Sequence, residues 1–484
     1  MHQYVFDVDG TGYSTVAKHL AAGNFERAVN GFWSPLHSWL VAPLVNTGIS
    51  IQMLFFYSNA VVSFIILFLM SRLCIVFSIA DEWITAILFT VSILLLQFSF
   101  HELAADILVL PFILGWLLLV LRKDFYTNAN LHIWCGVLVG FGYLAKTYAL
   151  PFLGFIHIIL LLQHFYFQKQ STLKQLLFFM IALLVICTPW IAIISNKYGY
   201  FTIGNSSRLN LSWFLRGMSN EKAFFHAPEY TDSYSWWEDP SFYKGEVVNL
   251  FTAKTYFLKQ VKVFLHNCIV FVELLFAVSI VAPFIIAQIV AVGLKEKYVL
   301  FQKLSIFLLL FPAGYLLTFV DNRYLWIFNL LLLPVGLSLL HNYFKKHQLK
   351  PVLKTFIYLF FFLSFIIYPV FQLKQNAFHP QWKQIHTVAK WFQEHQIKGN
   401  FTSNKKSPET MVVAYLSDVS FFQLSNINVS TEQIAAAMEA NNIAHFLFYF
   451  EKETKKQSVM NIMQQRGYSM EQIEPGVLLF SKNK

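Results

Sequence analysis

Long apolar blocks with almost no charged side chains constrain the fold of this chain more than any other feature of its sequence. Blocks of roughly 18 or more residues are long enough to cross about 30 Å of hydrocarbon as helices that rise about 1.5 Å per residue. Lipid offers no partners to backbone N–H and C=O groups, so each block is expected to be helical. The chain is therefore predicted to be an all-α polytopic membrane protein. A balance of 56% hydrophobic to 13% charged residues nearly excludes a water-soluble enzyme.

Ten of these blocks are predicted to span the membrane. They lie near residues 49–71, 84–100, 104–121, 133–149, 150–168, 174–196, 264–293, 303–320, 325–342 and 353–373. Lysine and arginine concentrate in alternate connections between the blocks, and connections of this kind usually face the cytoplasm. These basic residues are Arg72, Arg122, Lys123, Lys169, Lys174, Lys295, Lys297, Lys303, Lys345, Lys346, Lys350 and Lys354. Their position accounts for the net charge of +10 without a nucleic-acid partner.

The same orientation places most of the polar residues on the exterior side. The exterior loops are residues 1–48 and 197–262, and the chain after residue 374 follows the last span on that side. Ten spans with an exterior C-terminus require an exterior N-terminus, and no signal peptide is present to carry residue 1 across. We therefore expect a first transmembrane helix upstream of Met1, in a longer gene product.

Residues 379–484 differ in composition from the membrane domain of residues 1–378, because charged and amide side chains replace the apolar blocks. The predicted elements of this tail are helices over 381–396 and 431–441, the latter with Ser430 as N-cap, and strands over 444–450 and 477–481. The tail is therefore predicted to be a small soluble, extracytoplasmic α/β domain. It contains no glycine-rich phosphate loop and no nucleophile elbow.

The first exterior segment carries the most informative motif, FDVDGTGYSTVAKHLAAGNFERAVNGFWSPLHSWLVAPL. Asp7 and Asp9 stand just before an amphipathic stretch that ends in Trp33, Ser34 and Pro35. This order resembles the first extracytoplasmic loop of GT-C membrane glycosyltransferases (glycosyltransferase family 39-like), which include the protein mannosyltransferase and aminoarabinose transferase families. In that loop an acidic residue soon after the first helix is followed by a tyrosine, a small-residue pattern ending in glycine, and a Pro-Leu pair.

The resemblance extends along the membrane domain, roughly over residues 1–373. Matching positions in the first loop are Asp9, Tyr13, Ala17, Gly23, Pro35 and Leu36. Later matches are Asp106 in AADILVLPF, Lys146 in GFGYLAKTYALPF, and Arg323 with Tyr324 in DNRYLWI. The chain departs from the family pattern at Asp7-Val8-Asp9, where the acidic pair is often Asp-Glu.

The resemblance implies a function as well as a GT-C-like fold. It implies transfer of a sugar from a polyprenyl-phosphate donor to a lipid, glycan or protein acceptor on the exterior face of a bacterial inner membrane, with inversion at the sugar. On this basis Asp9 is expected to be the catalytic base, with Asp7 as the second candidate. Arg323, Lys146 and Tyr324 are expected to bind the donor phosphate.

General chemistry assigns the same roles. Sugar transfer from a polyprenyl phosphate needs a carboxylate to take the acceptor proton and a cation to stabilise the departing phosphate. Arg323 offers a planar fork to phosphate oxygens, and Lys146 offers a point charge on a side where lysines are scarce. The alternatives are that Arg323 snorkels at the interface or pairs with Asp321, and that the two first-loop aspartates are solvated turn residues.

Asp106 has two candidate roles, since helix capping alone explains a carboxylate in a first turn. Together with Glu102 it is expected to contribute to substrate binding. His101 and Asp106 also form a candidate site for Mg²⁺ or Mn²⁺, whereas an isolated histidine near a membrane boundary is more often an interfacial polar residue.

The long loop 197–262 contains HAPEYTDSYSWWEDPSFYKGE, in which aromatic residues alternate with carboxylates. Aromatic rings stack on sugar C–H faces and carboxylates accept bonds from sugar hydroxyls. Trp237 and Glu238 are therefore expected to bind substrate, and the alternative is an interfacial aromatic belt.

Two other functions compete with sugar transfer. A transporter or flippase of a lipid-linked saccharide would use the same lipid contacts, but it should show repeated halves or polar residues at the membrane midplane. The unusual charges instead cluster at exterior helix ends. The second competitor is a non-catalytic membrane sensor or assembly subunit whose tail binds a partner.

Overall fold

The computed structural model describes most of the chain. The described residues are 7–101, 103, 105–216, 223–243, 248, 254–295, 299–347, 349–377, 380–405, 408–426, 428–450 and 453–482.

The first loop folds into three short helices and a 3-10 turn. The helices are α1 (Val8–Ala21), α2 (Phe25–Ala28) and α3 (Pro35–Val41), and the turn covers Ala42–Thr47. Asp7 is the N-cap of α1, and Gly23 follows the helix with a φ of +74°, which glycine adopts without the strain that a side chain would add. The first-loop aspartates therefore belong to a helix start, and the alternative of solvated turn residues is wrong.

Six apolar helices follow in the first half of the membrane domain. They are α4 (Ile51–Val76), α5 (Asp81–His101), α6 (Asp106–Val120), α7 (Ala129–Ala145), α8 (Ala149–Gln168) and α9 (Leu173–Tyr198). The long loop then contributes α10 (Ser206–Arg216), strand β1 (Phe225–His226) and two 3-10 turns, Trp236–Glu238 and Pro240–Phe242.

The second half of the membrane domain contains α11 (Lys254–Val278), α12 (Ala282–Gly293), α13 (Val299–Leu310), α14 (Ala313–Leu317), α15 (Trp326–Lys346) and α16 (Pro351–Ala377). Among the described residues, eight helices are long and apolar enough to cross a membrane, and α6, α7 and α12 are shorter apolar helices. The polytopic helical fold is therefore confirmed. Helix α15 lies at the centre, because 72% of its apolar window is buried, against 17% for α11 and α16.

Two predicted spans are interrupted. The span predicted over 264–293 is divided between α11 and α12, because Pro283 has no N–H to continue the helix, and the Ser279 hydroxyl accepts a bond from Val281 N at 3.3 Å. The span predicted over 303–320 breaks after Leu310, where Pro312 precedes α14. Both interruptions lie at prolines. The apolar composition of a segment does not show where a proline will break its helix.

The tail contains both helices and strands. It consists of α17 (Pro380–Glu394), β2 (Asn400–Ser403), α18 (Pro408–Ser417), β3 (Ser420–Phe421), β4 (Gln423–Leu424), α19 (Thr431–Ala440), β5 (His445–Tyr449), α20 (Glu453–Gln465), β6 (Tyr468–Glu474) and β7 (Val477–Lys482). Its sheet has the order β3-β2-β5-β7-β6, with β2 parallel to β3 and β5 and the other pairs antiparallel. The four predicted tail elements are confirmed, and Ser430 is the N-cap of α19, where it forms a capping box with Gln433.

The tail packs against the first loop and the long loop. Strand β1 of the long loop pairs with β4 of the tail, in the register Phe225 to Leu424. A single apolar core joins residues of α1, the long loop and α18, including Val16, Trp236 and Val412. The tail therefore covers the end of the membrane domain that carries the first loop and the long loop.

A buried polar cluster lies toward the other end of the bundle. Lys303 Nζ donates to the carbonyl of Val120 at 2.6 Å, and its side chain is almost fully buried. A cation at the C-terminus of α6 is stabilised by the negative end of the helix dipole. Close by, His132 and His157 are both fully buried, with His132 Nδ1 3.0 Å from His157 Nε2.

Candidate functional site

Two ion pairs from four distant segments meet at one end of the bundle. Arg323 Nη1 lies 2.8 Å from Asp9 Oδ2 and 3.7 Å from Asp106 Oδ2, and Lys146 Nζ contacts Asp106 Oδ1. At most 20% of each of these four side chains is exposed. Charges removed from water in this way interact more strongly than surface pairs. We call Asp9, Asp106, Lys146 and Arg323 the ion-pair cluster.

Local structure explains why each charge is stable in the cluster. Asp9 and Asp106 lie in the first turns of α1 and α6, where the helix dipole favours a carboxylate. Lys146 is the C-cap of α7, where the dipole favours a cation.

Arg323 lies in a 3-10 turn, Asn322–Leu325, that starts at Asp321. The Asp321 carboxylate accepts a bond from the backbone N–H of Arg323 at 3.2 Å, which leaves the guanidinium directed at Asp9. The Arg323 side chain thus pairs with Asp9, while Asp321 caps the turn through the Arg323 backbone.

Asp7 has a different role from Asp9. Its Oδ1 accepts a bond from Leu103 N at 2.9 Å, and its Oδ2 accepts one from Gly10 N at 3.3 Å. Burial and the nearby charge of Asp9 raise the pKa of Asp7 to about 6. Asp7 therefore fixes the start of α1 to the turn before α6, while Asp9 faces the cations.

A stack of aromatic rings supports Lys146. Its Nζ lies 4.3 Å from the centre of the Tyr324 ring, which stacks on Tyr315 at 4.1 Å. Tyr315 in turn stacks on Tyr148 at 3.7 Å, and Tyr148 on Phe152 at 4.1 Å. The negative faces of such rings attract an ammonium group. The stack thus holds Lys146 at the cluster.

Gly314 makes the close approach of these rings possible. A Cβ at this position would overlap the Phe152 ring and lie 2.8 Å from Cε2 of Tyr148. Sequence analysis missed Tyr148, Tyr315 and Gly314, although Tyr148 follows Lys146 by only two positions. No local pattern in the sequence links Tyr148 to Tyr315, because their contact joins α8 to α14.

Tyr13 borders the cluster from α1. Burial, with the nearby carboxylates of Asp106 and Asp9, raises the pKa of Tyr13 well above its ordinary value, so its phenol stays neutral. Its ring lies 5.2 Å from that of Trp33, which packs directly on Gly12. Tyr13, which matches the family pattern, and Trp33, which was not among the matching positions, therefore pack together beside the cluster.

Trp237 and Glu238 lie in a layer outside the cluster. The Trp237 ring packs 5.6 Å from Trp33, and Trp33 Nε1 donates to the Trp237 carbonyl at 3.2 Å. Glu238 is buried, and it binds Arg27 and, at 2.9 Å, His19. Burial alone would raise the pKa of Glu238, but the bonds from His19 and Arg27 outweigh it and lower the pKa. The structure thus gives Glu238 protein partners, and its binding of substrate stays a prediction.

The other two expected site residues cannot be placed. Glu102 and the side chain of His101 lie outside the described residues. Within the described part of the chain, no group of three or more His, Cys, Asp or Glu side chains is arranged to hold a metal ion. Metal binding at Asp106 stays a prediction.

The fold has counterparts among solved structures. ArnT from Cupriavidus metallidurans bound to undecaprenyl phosphate aligns with a TM-score of 0.52 and 9% sequence identity over 97% of this chain and 93% of that chain. The apo state of ArnT from Cupriavidus metallidurans aligns with a TM-score of 0.51 and 10% identity over 98% of this chain and 93% of that chain. No family model and no curated protein matches this chain by sequence. The chain therefore has the fold of ArnT, and the predicted GT-C fold is confirmed.

Proposed function

We propose that this chain is a glycosyltransferase that takes a sugar from a polyprenyl-phosphate donor and passes it to an acceptor. The acceptor is a lipid, a glycan or a protein on the extracytoplasmic face of a bacterial inner membrane. The observation that carries this proposal is the ion-pair cluster, which brings a carboxylate, an arginine and a lysine together at the ends of apolar helices. A lipid-linked donor presents its phosphate at such a position, while its polyprenyl chain stays among the helices.

Asp9 is the base in this proposal. Its carboxylate points at Arg323, whereas both oxygens of Asp7 accept backbone N–H groups. Asp7 is bonded to the backbone at Leu103 and Gly10, so its position at the helix start, and not its proton affinity, argues against it as the base. Asp7 therefore orients α1, and Asp9 takes the proton.

Arg323 and Lys146 bind the donor phosphate. Arg323 offers two parallel N–H groups to phosphate oxygens, and Lys146, supported by Tyr324, offers a point charge. Asp106 lies between Lys146 and Arg323. Its negative charge keeps the two cations close together when no donor is bound. Substrate binding by Asp106 in this proposal is thus indirect.

The transfer step is a displacement at the sugar. Asp9 takes the proton of the acceptor hydroxyl as its oxygen bonds to the anomeric carbon, and the bond from that carbon to the phosphate oxygen breaks. Attack from the face opposite the phosphate inverts the anomeric configuration. The polyprenyl phosphate leaves with the bonding electron pair, and Arg323 and Lys146 stabilise the charge that develops on its oxygen.

Two observations support the class of donor. The chain shares its fold with ArnT, and one of the matching ArnT structures is bound to undecaprenyl phosphate. The reaction needs no nucleotide site, because the lipid phosphate is the leaving group. A divalent metal at Asp106 fits poorly, since Lys146 and Arg323 already neutralise that carboxylate. No step is therefore assigned to a metal, and transfer is expected to persist in EDTA.

The test is sugar transfer by the purified chain in proteoliposomes that contain a polyprenyl-phosphate sugar. Asp9→Asn should reduce donor consumption and product formation by about 100-fold or more, because removal of a general base typically costs 10²- to 10⁴-fold. Asp124→Asn is the matched control, since Asp124 also pairs with an arginine, Arg122, at 2.8 Å. The control should transfer sugar as the wild type does.

Other outcomes would reject the proposal. Undiminished transfer in Asp9→Asn, Asp7→Asn and the double variant would exclude a carboxylate base in this loop. Movement of the donor across the bilayer without its consumption would favour a flippase. Neither transfer nor movement by the wild type would favour a sensor or assembly subunit.

A further inference from the structure

Two opposite faces of helix α1 contact different parts of the molecule. At about 100° per residue, Thr11, Ser14 and Lys18 share one face, and Asp9 lies about 180° around the helix from Lys18. Thr11 and Ser14 are fully buried, so this second face is covered by protein. The helix that carries the proposed base is thus held between the ion-pair cluster on one side and another set of contacts on the other.

Tyr234 of the long loop contacts this second face. The hydroxyls of Tyr234 and Thr11 lie 2.8 Å apart, and Thr11 Oγ1 also donates to the carbonyl of Val8 at 2.7 Å. A hydroxyl has one proton, which Thr11 gives to Val8, so Tyr234 donates to Thr11. Both side chains are buried, so this bond is shielded from water.

Tyr415 of tail helix α18 contacts the same face about two turns further on. Lys18 Nζ lies 4.1 Å from the centre of the Tyr415 ring. The Tyr415 ring also meets the Tyr234 ring edge-on, with centres 5.4 Å apart. Tyr234 and Tyr415 come from different parts of the chain, and together they form one surface that contacts α1.

The tail fixes the position of both tyrosines. The backbone N–H of Phe421 donates to the Tyr234 carbonyl at 2.8 Å, and Ser420 Oγ donates to the Ser233 carbonyl at 2.7 Å. Phe421 belongs to β3, whose partner β2 lies inside the tail sheet. A displacement of the tail would therefore move Tyr234 and Tyr415 together.

We propose that Tyr234 and Tyr415 are positioning residues that set the location of α1, so that the tail domain determines where the Asp9 carboxylate stands relative to Arg323. Neither tyrosine touches the reacting atoms. Their effect on sugar transfer rests on the proposed function, whereas their effect on the position of α1 does not.

Kinetics provides the first test. Tyr415→Ala removes the ring under Lys18 and should lower kcat by about 10-fold or more, since a shift of about 1 Å at a reacting group can cost 100-fold. The KM for the donor should change little, because Lys146 and Arg323 are untouched. Tyr415→Phe keeps the ring and should restore kcat. Tyr234→Phe, which removes only the bond to Thr11, should lower kcat less than Tyr415→Ala does.

Distance measurement provides the second test and does not require activity. Spin labels on cysteines introduced at Ala22, at the end of α1, and at the exposed Val370 of α16 report the position of α1 against the membrane domain. Cys268 is replaced by serine, and the other three cysteines are buried. The distance distribution should be narrow in the wild type and in Tyr415→Phe, and broad or shifted in Tyr415→Ala.

Tyr468→Ala is the matched control, because Tyr468 is buried in the other apolar core of the tail, away from α1. An equal broadening in Tyr468→Ala would show that tail stability, not these contacts, governs α1, and would overturn the proposal. An unchanged distribution in Tyr415→Ala would also overturn it. If the wild type transfers no sugar but the distances change as expected, the proposed function fails and the positioning role stands.

Discussion

Arg323 and Asp9 are 314 residues apart in sequence, and Arg323 Nη1 lies 2.8 Å from Asp9 Oδ2. This contact joins the start of α1 to the turn before α15, the most buried membrane helix among the described residues. The second oxygen of Asp106 lies 3.7 Å from the same nitrogen, so one guanidinium faces two carboxylates. Such a group is held in place before any substrate binds.

Arg323→Lys tests whether the planar shape of the guanidinium matters. Lysine keeps the charge but loses the pair of parallel N–H groups, so kcat should fall about 10- to 100-fold, with a smaller effect on donor KM. Steady-state transfer kinetics measures both constants. Arg208→Lys is the control, because Arg208 is exposed and donates to Tyr200 at 2.7 Å. Equal kcat in Arg323→Lys and the wild type would refute donor-phosphate binding by the arginine fork.

Gly314→Ala tests the ring stack under Lys146. The added methyl would overlap the Phe152 ring and crowd the Tyr148 ring, so we expect a loss of about 1–3 kcal/mol in the free energy of unfolding and reduced transfer. Gly154→Ala in α8 is the control, because no atom lies within 4 Å of the position that its added methyl would take. It should be neutral or stabilising by up to about 1 kcal/mol. Unfolding in detergent, followed by circular dichroism, compares the two, and equal effects would contradict the role of Gly314.

Asp7→Asn tests the raised pKa of Asp7. Because burial and Asp9 raise this pKa from 3.8 to about 6, the folded state favours the protonated form. The stabilising contribution is therefore complete below about pH 4 and is lost as the pH rises through about 6. The stability of the wild type relative to Asp7→Asn should fall by on the order of 3 kcal/mol between pH 4 and pH 7.

The matching control for pH is Asp124→Asn. The hydrogen bond from Arg122 lowers the pKa of Asp124, so this carboxyl is ionised throughout the range from pH 4 to pH 7. The difference between wild type and Asp124→Asn should stay flat there. A flat profile for Asp7→Asn as well would mean that the Asp7 carboxyl is not buried as described.

His157→Phe tests the buried histidine pair. Trp116 Nε1 donates to His157 Nδ1 at 3.3 Å, and His132 Nε2 bonds the Phe125 carbonyl at 2.8 Å. An indole N–H only donates and a carbonyl only accepts, so both neutral imidazoles carry their proton on Nε2. His157→Phe leaves Trp116 and His132 Nδ1 without partners, at about 1–3 kcal/mol each.

Thermal unfolding of His157→Phe should therefore occur at a lower temperature than that of the wild type, with kcat retained below the transition. The exposed His266 on α11 provides the control, as His266→Phe removes a histidine without opening a buried bond. Unchanged stability in His157→Phe would show that the bonds are replaced by water or by a shift of Trp116.

Composition and spacing predicted the parts of the fold that depend on local sequence. The length of the apolar segments predicted the membrane helices, since a helix is the lowest-energy form of such a segment in lipid. Ser430 predicted the start of α19. The interruptions at Pro283 and Pro312 were missed, because the hydropathy of the flanking residues continues across them.

The site was predicted in part. The meeting of Asp9 and Arg323 followed from the family resemblance and from the need for a base and a cation. The position of Asp106 between Lys146 and Arg323 was not predicted, because it depends on how α6 and α7 pack. Tyr415 gave no signal on its own, although the spacing of Thr11, Ser14 and Lys18 marks a second covered face on α1.

The pairing of Phe225 with Leu424 has a consequence for biogenesis. The long loop leaves the ribosome about two hundred residues before its partner strand is made, so it remains without that partner while the segments from α11 to α16 are inserted. The tyrosine that supports α1 is also synthesised late, at position 415. The contacts that hold α1 are therefore complete only after α18 has been made, and a stop codon directly after α16 would yield inserted helices without these contacts.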